Sequence, residues 1–128
     1  MKTLIKSALL LMFSISLTGC VGARIDYAIK KHEISSKSIN LGDAKESVLS
    51  ILEPTQTMLS SSNKKPPGKY IKDGVLVEIY YMRTGRQPDG LTTDDEFTPY
   101  IFHDGKLVGI GWEMLGGFKS QGQVIHGR

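Results

Sequence analysis

The sequence predicts a small α+β domain, with one or two short helices followed by three antiparallel β-strands. Three observations predict it. An amphipathic stretch over 43–52 is closed by Pro54 and reads as a short helix. Runs rich in β-branched and aromatic residues at 75–81 and 97–112 read as strands. Asp104-Gly105 divides the second run and predicts a two-residue hairpin, because glycine accepts positive φ freely.

Residues 1–19 read as a secretory signal peptide. Lys2 and Lys6 charge its start, an apolar middle runs through Leu9, Leu10, Leu11 and Phe13, and small residues precede Cys20. The apolar run is about half of the roughly 20 residues a spanning helix needs, so no transmembrane segment is expected there. Cys20 is the only cysteine, so no disulfide can form within the chain. Leu17-Thr18-Gly19-Cys20 resembles a bacterial lipoprotein box. That resemblance implies that Cys20 becomes the first residue of the mature chain, with a thioether-linked diacylglycerol and an amide-linked fatty acid. The alternative is an ordinary cleaved signal beside an unrelated cysteine. Val21, where an Asp would mark inner-membrane retention, is similar to an outer-membrane address and implies an anchored, periplasm-facing domain. Each buried methylene contributes about 0.8 kcal/mol, so two or three chains on one residue hold a small domain at a bilayer.

Without residues 1–19 the 128-residue chain leaves 109 residues, enough for one small core and a tether. The tether over 20–38 contains a short amphipathic helix, since Ile25, Ala28, Ile29 and His32 recur at helical spacing. Lys30 and Lys31 would meet lipid phosphates if that helix lay on a membrane; otherwise it packs on its own domain. The domain proper is expected over 39–115. Asp43 and Glu46 form a capping-box pattern, and Ala44, Val48, Ile51 and Leu52 supply an apolar face. A helix of this length does not stand alone in water and must bury that face on the strands that follow.

Residues 55–68 read as a flexible surface loop, with Ser60-Ser61-Ser62 and Lys64-Lys65-Pro66-Pro67-Gly68. From 69 to 83 the chain turns β; Lys72-Asp73-Gly74 is a candidate turn within it, and Glu78 marks its wet face. A polar connection over 84–96 follows. Its acidic end, Asp94-Asp95-Glu96, lacks the spacing of an EF-hand loop, and no metal site is expected. The hairpin strands are expected over 97–103 and 106–112. Pro99 suggests an edge strand or a bulge, while Gly109 and Gly111 leave room for a close neighbour such as the short helix. The Gly-rich tail over 116–128 reads as extended or mobile.

Lys2 and Lys6 are two of the 16 basic residues, so the rest of the chain carries 14 against 13 acidic. That near-balance gives no electrostatic case for nucleic acid. Charge is locally uneven, with Lys64, Lys65, Lys69 and Lys72 in one cluster and Asp89, Asp94, Asp95 and Glu96 in another. No catalytic constellation is legible: His32, His103 and His126 lack metal-ligand spacing, the serines sit in low-complexity sequence, and Asp104 is turn chemistry. No enzyme activity is expected, and no cofactor beyond covalent lipid on Cys20.

Ile39-Asn40-Leu41-Gly42, then Val48, Leu52 and Pro54, then Val77-Glu78-Ile79-Tyr80-Tyr81 and Phe102-His103-Asp104-Gly105-Lys106-Leu107 form a pattern similar to the small outer-membrane lipoproteins of the BamE (SmpA/OmlA) family. The resemblance covers about residues 39–112 and departs from the family's helix-ending glycine at Glu53. It implies helices on one face of a three-stranded antiparallel sheet, and a non-catalytic scaffold or accessory subunit of an outer-membrane assembly. A tethered inhibitor or ligand-binding module acting on an envelope enzyme or cell-wall fragment is the alternative, because fold alone does not fix function. Tyr80, Tyr100 and Trp112 are the candidate partner-binding residues, since aromatics are enriched at interfaces; the competing reading is that they fill the core.

Overall fold

The computed structural model describes residues 20–87 and 91–118, apart from the Cys20 side chain. The expected signal peptide over 1–19, the tail beyond Phe118, Asp89 and His126 lie outside the described residues.

Two helices and a four-stranded antiparallel sheet make up the domain. Helix α1 spans Cys20–Ser35 and α2 spans Lys45–Leu52. The strands are β1 Gly68–Lys72, β2 Val75–Arg83, β3 Phe97–His103 and β4 Lys106–Ile110, in the spatial order β1-β2-β3-β4. The expectation of three strands is therefore corrected to four. The reason is Asp73-Gly74, which folds the β-rich stretch back on itself with φ of 53° and 78°. Asp104-Gly105 repeats this geometry with φ of 47° and 80°. Both residues of each pair have positive φ, the signature of a primed hairpin turn whose twist matches that of the strands.

Alternation along β2 and β3 divides the sheet into two faces. Met82, Tyr100 and Phe102 point to the helix side and meet Val48, Leu52, Ile39 and Leu107 in the main core. Val77, Ile79 and Ile101 form the other cluster, with Val75, Tyr81, Val108 and Leu115 packed against it. Ile25, Ala28 and His32 of α1 are buried; the first two pack on Leu59, so this helix spends its apolar stripe on its own domain.

Helix α2 stops at Leu52, and the turn Glu53–Gln56 takes over with Pro54 in its first positions. Its start differs from the capping-box expectation. Ala44 is the N-cap, and the Asp43 carboxylate instead accepts from Asn40 N at 2.9 Å. Residues 42–45 are held against β4: Gly42 N donates to Leu107 O at 2.7 Å, Leu107 N to Asp43 O at 2.9 Å, and Lys45 N to Gly105 O at 2.8 Å.

Pro99 lies in β3, which is an internal strand rather than an edge. It is tolerated because the missing N–H faces past the end of β4, where Gly111 N donates to the Pro99 carbonyl at 2.9 Å. The register shifts nearby, between Ile101 and Phe102, by one extra residue in β4. That bulge puts Gly109 opposite Ile101, on the outer face. Met114, from the turn Glu113–Leu115, fills the space a side chain at 109 would need, so the close neighbour of Gly109 is not α2. The first residues of the Gly-rich segment are also folded back. Gly116 N and Gly117 N donate to Glu113 O and Trp112 O at 3.1 and 2.9 Å, and the Phe118 ring lies 5.6 Å from Trp112.

Candidate interaction surfaces

Tyr80, Tyr100 and Trp112 do not share a surface. Tyr100 is buried on the helix side, its hydroxyl 2.8 Å from His32 Nε2 and the two rings stacked at 5.9 Å. Burial holds His32 below its ordinary pKa and pushes the Tyr100 phenol up to about 12, so the pair is neutral near pH 7. Tyr80 is half-buried on the same face, edge-on to Phe102, with its hydroxyl donating to Glu78 at 3.3 Å. Trp112 lies on the opposite face, stacked on Tyr81 at 5.6 Å, and its indole N–H donates to Phe97 O at 2.8 Å. Cys20 is the first residue of α1, five residues before the buried Ile25.

Glu78, expected on a wet face, is buried. Lys45 reaches down from α2 to its carboxylate at 3.1 Å. Hydrogen bonding to Glu78 is the chief reason the Lys45 ammonium titrates above its ordinary value. Asp94 and Glu96 of the acidic cluster, and Lys65 of the basic one, are likewise tied into the fold. Lys65 pairs with Asp94 at 3.2 Å and lies over the Tyr81 ring at 4.9 Å. Glu96 is fully buried and accepts from Arg83 Nη2 at 3.1 Å, Gln87 N at 2.7 Å and Thr93 N at 2.8 Å. Arg83 also donates to Gly85 O at 3.0 Å and Asn63 O at 3.2 Å, drawing the two connections over 55–68 and 84–96 onto one guanidinium. Among the described residues no group of three or more His, Cys, Asp or Glu side chains could hold a metal ion.

Gln56 was invisible to sequence reasoning. Its buried side-chain amide accepts from Arg83 N at 2.7 Å and donates to Arg83 O at 3.4 Å, much as a neighbouring strand would. It closes the side of β2 beyond the end of β1. Residues 42–45 cover the start of β4 as far as Leu107, and β1 is the strand left open along its whole outer side among the described residues. All but the first of its residues are exposed, including Tyr70 at 45 % and Ile71 at 73 %. A groove of about 300 Å³ runs beside it on the outer face, floored by Val75, Val77, Ile101 and Leu115 and rimmed by Lys72 and His103.

Comparisons with family models, curated proteins and solved structures found no match to this chain. Among the described residues no helix is long and apolar enough to cross a membrane.

Proposed function

We propose that this chain is a lipid-anchored, non-catalytic protein of the bacterial outer membrane. Its domain faces the periplasm and serves as a scaffold or accessory subunit of an envelope assembly, in the manner the BamE-like sequence pattern implies. One observation carries the reading: Leu17-Thr18-Gly19-Cys20 after a charged and apolar leader. Acyl chains on Cys20 would enter the bilayer, and α1 would carry the restraint directly into the packed domain.

The experiment is intact-mass spectrometry of the protein from its native host, with Cys20→Ser alongside. Acylation predicts a mature chain beginning at Cys20, heavier than the bare polypeptide by two or three acyl groups and found in the membrane fraction. Cys20→Ser moves the chain to the soluble fraction. An unmodified thiol on a soluble chain overturns the anchor. Gentle cross-linking in mild detergent tests the scaffold role, and extraction of the chain alone refutes it. The outer groove beside β1 favours the second reading, a tethered module that binds a ligand or inhibits an envelope enzyme. Titrating the protein with muropeptides and envelope hydrolases tests that reading, and no saturable binding ends it.

A further inference from the structure

The β1–β2 hairpin has a two-residue loop, so its closing pair, Lys72 and Val75, exchanges both backbone hydrogen bonds. By alternation Tyr70 and Gly68 also direct their backbone groups at β2. Lys69 and Ile71 direct theirs away from the sheet, toward a side along which no strand lies among the described residues. Elsewhere the edges are covered in part, by residues 42–45 at Gly105 and Leu107 of the β4 side and by the Gln56 amide at Arg83. Along β1 this leaves a short ladder of N–H and C=O groups open over its whole length, whereas β4 is uncovered only toward Ile110.

The charge around that ladder is predominantly basic, with Lys69 and Lys72 on the strand against Asp73 in the turn. Lys64, Lys69 and Lys72 are exposed and have no ion pair among the described residues. Glu78, the cross-strand partner of Lys69, is already engaged by Lys45, so Lys69 keeps its charge for the outside. Asp73, in the turn, is the neighbouring acid. Lysines along an edge discourage pairing with a like-charged strand, a second copy of this edge included. They favour an acidic one, so the same residues act as a filter.

We infer that β1 is a strand-addition site for an extended acidic segment of a partner protein. The segment pairs its backbone with Lys69 and Ile71, sets carboxylates beside Lys69, and lays apolar side chains beside Tyr70 over the outer groove. Backbone pairing supplies affinity in this mode, and alternate side chains supply specificity. The inference gives the scaffold reading its class of partner. It does not need the lipid on Cys20, so the two fail separately.

The test uses the full chain in detergent micelles, isotope-labelled, with a capped heptapeptide of alternating Glu and Val as the probe. Hydrogen exchange at the Lys69 and Ile71 amides should slow by roughly tenfold or more on saturation, while the Tyr70 amide, already bonded to β2, keeps its rate. Ile71→Pro removes one outward donor and no β1–β2 bond, so it should weaken peptide binding by about tenfold while the remaining spectrum is preserved. A peptide with Lys in place of Glu should not bind. Three results overturn the inference: no protection at these two amides, equal binding of the Lys peptide, or sedimentation showing self-association lost in Ile71→Pro. Cys20→Ser should leave the peptide result unchanged, which separates this outcome from that of the anchor.

Discussion

Glu96→Ala is the most severe single change the structure offers outside the aliphatic core. The carboxylate is fully buried, its Arg83 partner is 3 % exposed, and their closest approach is 3.1 Å. Truncation removes the acceptor for three N–H groups at once, from Arg83, Gln87 and Thr93, and strands a guanidinium in the interior. Breaking a buried pair by deleting one partner costs about 3–5 kcal/mol. A domain of this size has about 5–15 kcal/mol in total, so about a fifth or more of the stability is at stake. With a urea dependence of about 1–3 kcal/mol per molar, the unfolding midpoint should fall by about 1 M or more. Equilibrium urea unfolding followed by Trp112 fluorescence reads this directly. The double variant Arg83→Met with Glu96→Leu should recover part of the loss, because two apolar groups leave no charge unpaired. It should not recover all of it, since Arg83 also serves the carbonyls of Gly85 and Asn63. A midpoint for Glu96→Ala within about 0.3 M of wild type, or strict additivity of the two single changes, would refute the reasoning.

Other changes should register in the same assays. Leu52→Ala empties a fully buried position under α2 and should cost about 2–5 kcal/mol in a thermal or urea melt; a cost under about 1 kcal/mol would show that the main core is not closed there. His32 is held below its ordinary pKa by burial, so the unfolded chain takes up the proton more readily. Its contribution is therefore complete above pH 6.5 and is lost as pH falls from there to the lower, folded-state value. A melting temperature that drops across that window in wild type, and drops less in His32→Gln, is the expected result; identical profiles would count against it. Asp104→Ala loses a left-handed residue that tolerates φ of 47° and the 3.0 Å bond to Leu76 N. It should cost about 1–2 kcal/mol, with Asp104→Asn retaining most of the stability.

Much of the chain's local structure was legible because it is set by neighbours in sequence. Pro54 stopped α2 where its geometry requires, and Asp104-Gly105 turned as expected. Asp73-Gly74 has identical chemistry, yet the β-prone residues on both sides made it read as a turn inside a single stretch. The features that escaped are those closed by distant partners. Glu78 looked solvent-facing because nothing nearby in sequence neutralises it; its cation arrives from Lys45, 33 residues away. His32 and Tyr100 are 68 residues apart, and neither announces the other. The extra residue in β4 reverses the parity that simple alternation gives Gly109, which is why its neighbour came from the C-terminal turn rather than from a helix. The aromatic trio dissolved for a different reason. Tyr80 and Tyr100 are directly paired across β2 and β3 and so share the covered face, while Trp112 lies past the end of β4, after Gly111 at φ of 104°, and closes on Tyr81.

Helix α1 is in contact with the rest of the molecule by Ile25, about 7.5 Å of helix rise from its first residue. A linkage that short behaves as a bracket, not a leash. Any group fixed at Cys20 would set the heading of the whole domain. Swinging the body about that point would mean prying Ile25 and Ala28 off Leu59 and pulling His32 out of register with Tyr100. Reach and freedom of rotation are therefore decided by how firmly one helix stays seated, and lengthening the chain ahead of Ile25 would loosen the mount without touching the fold.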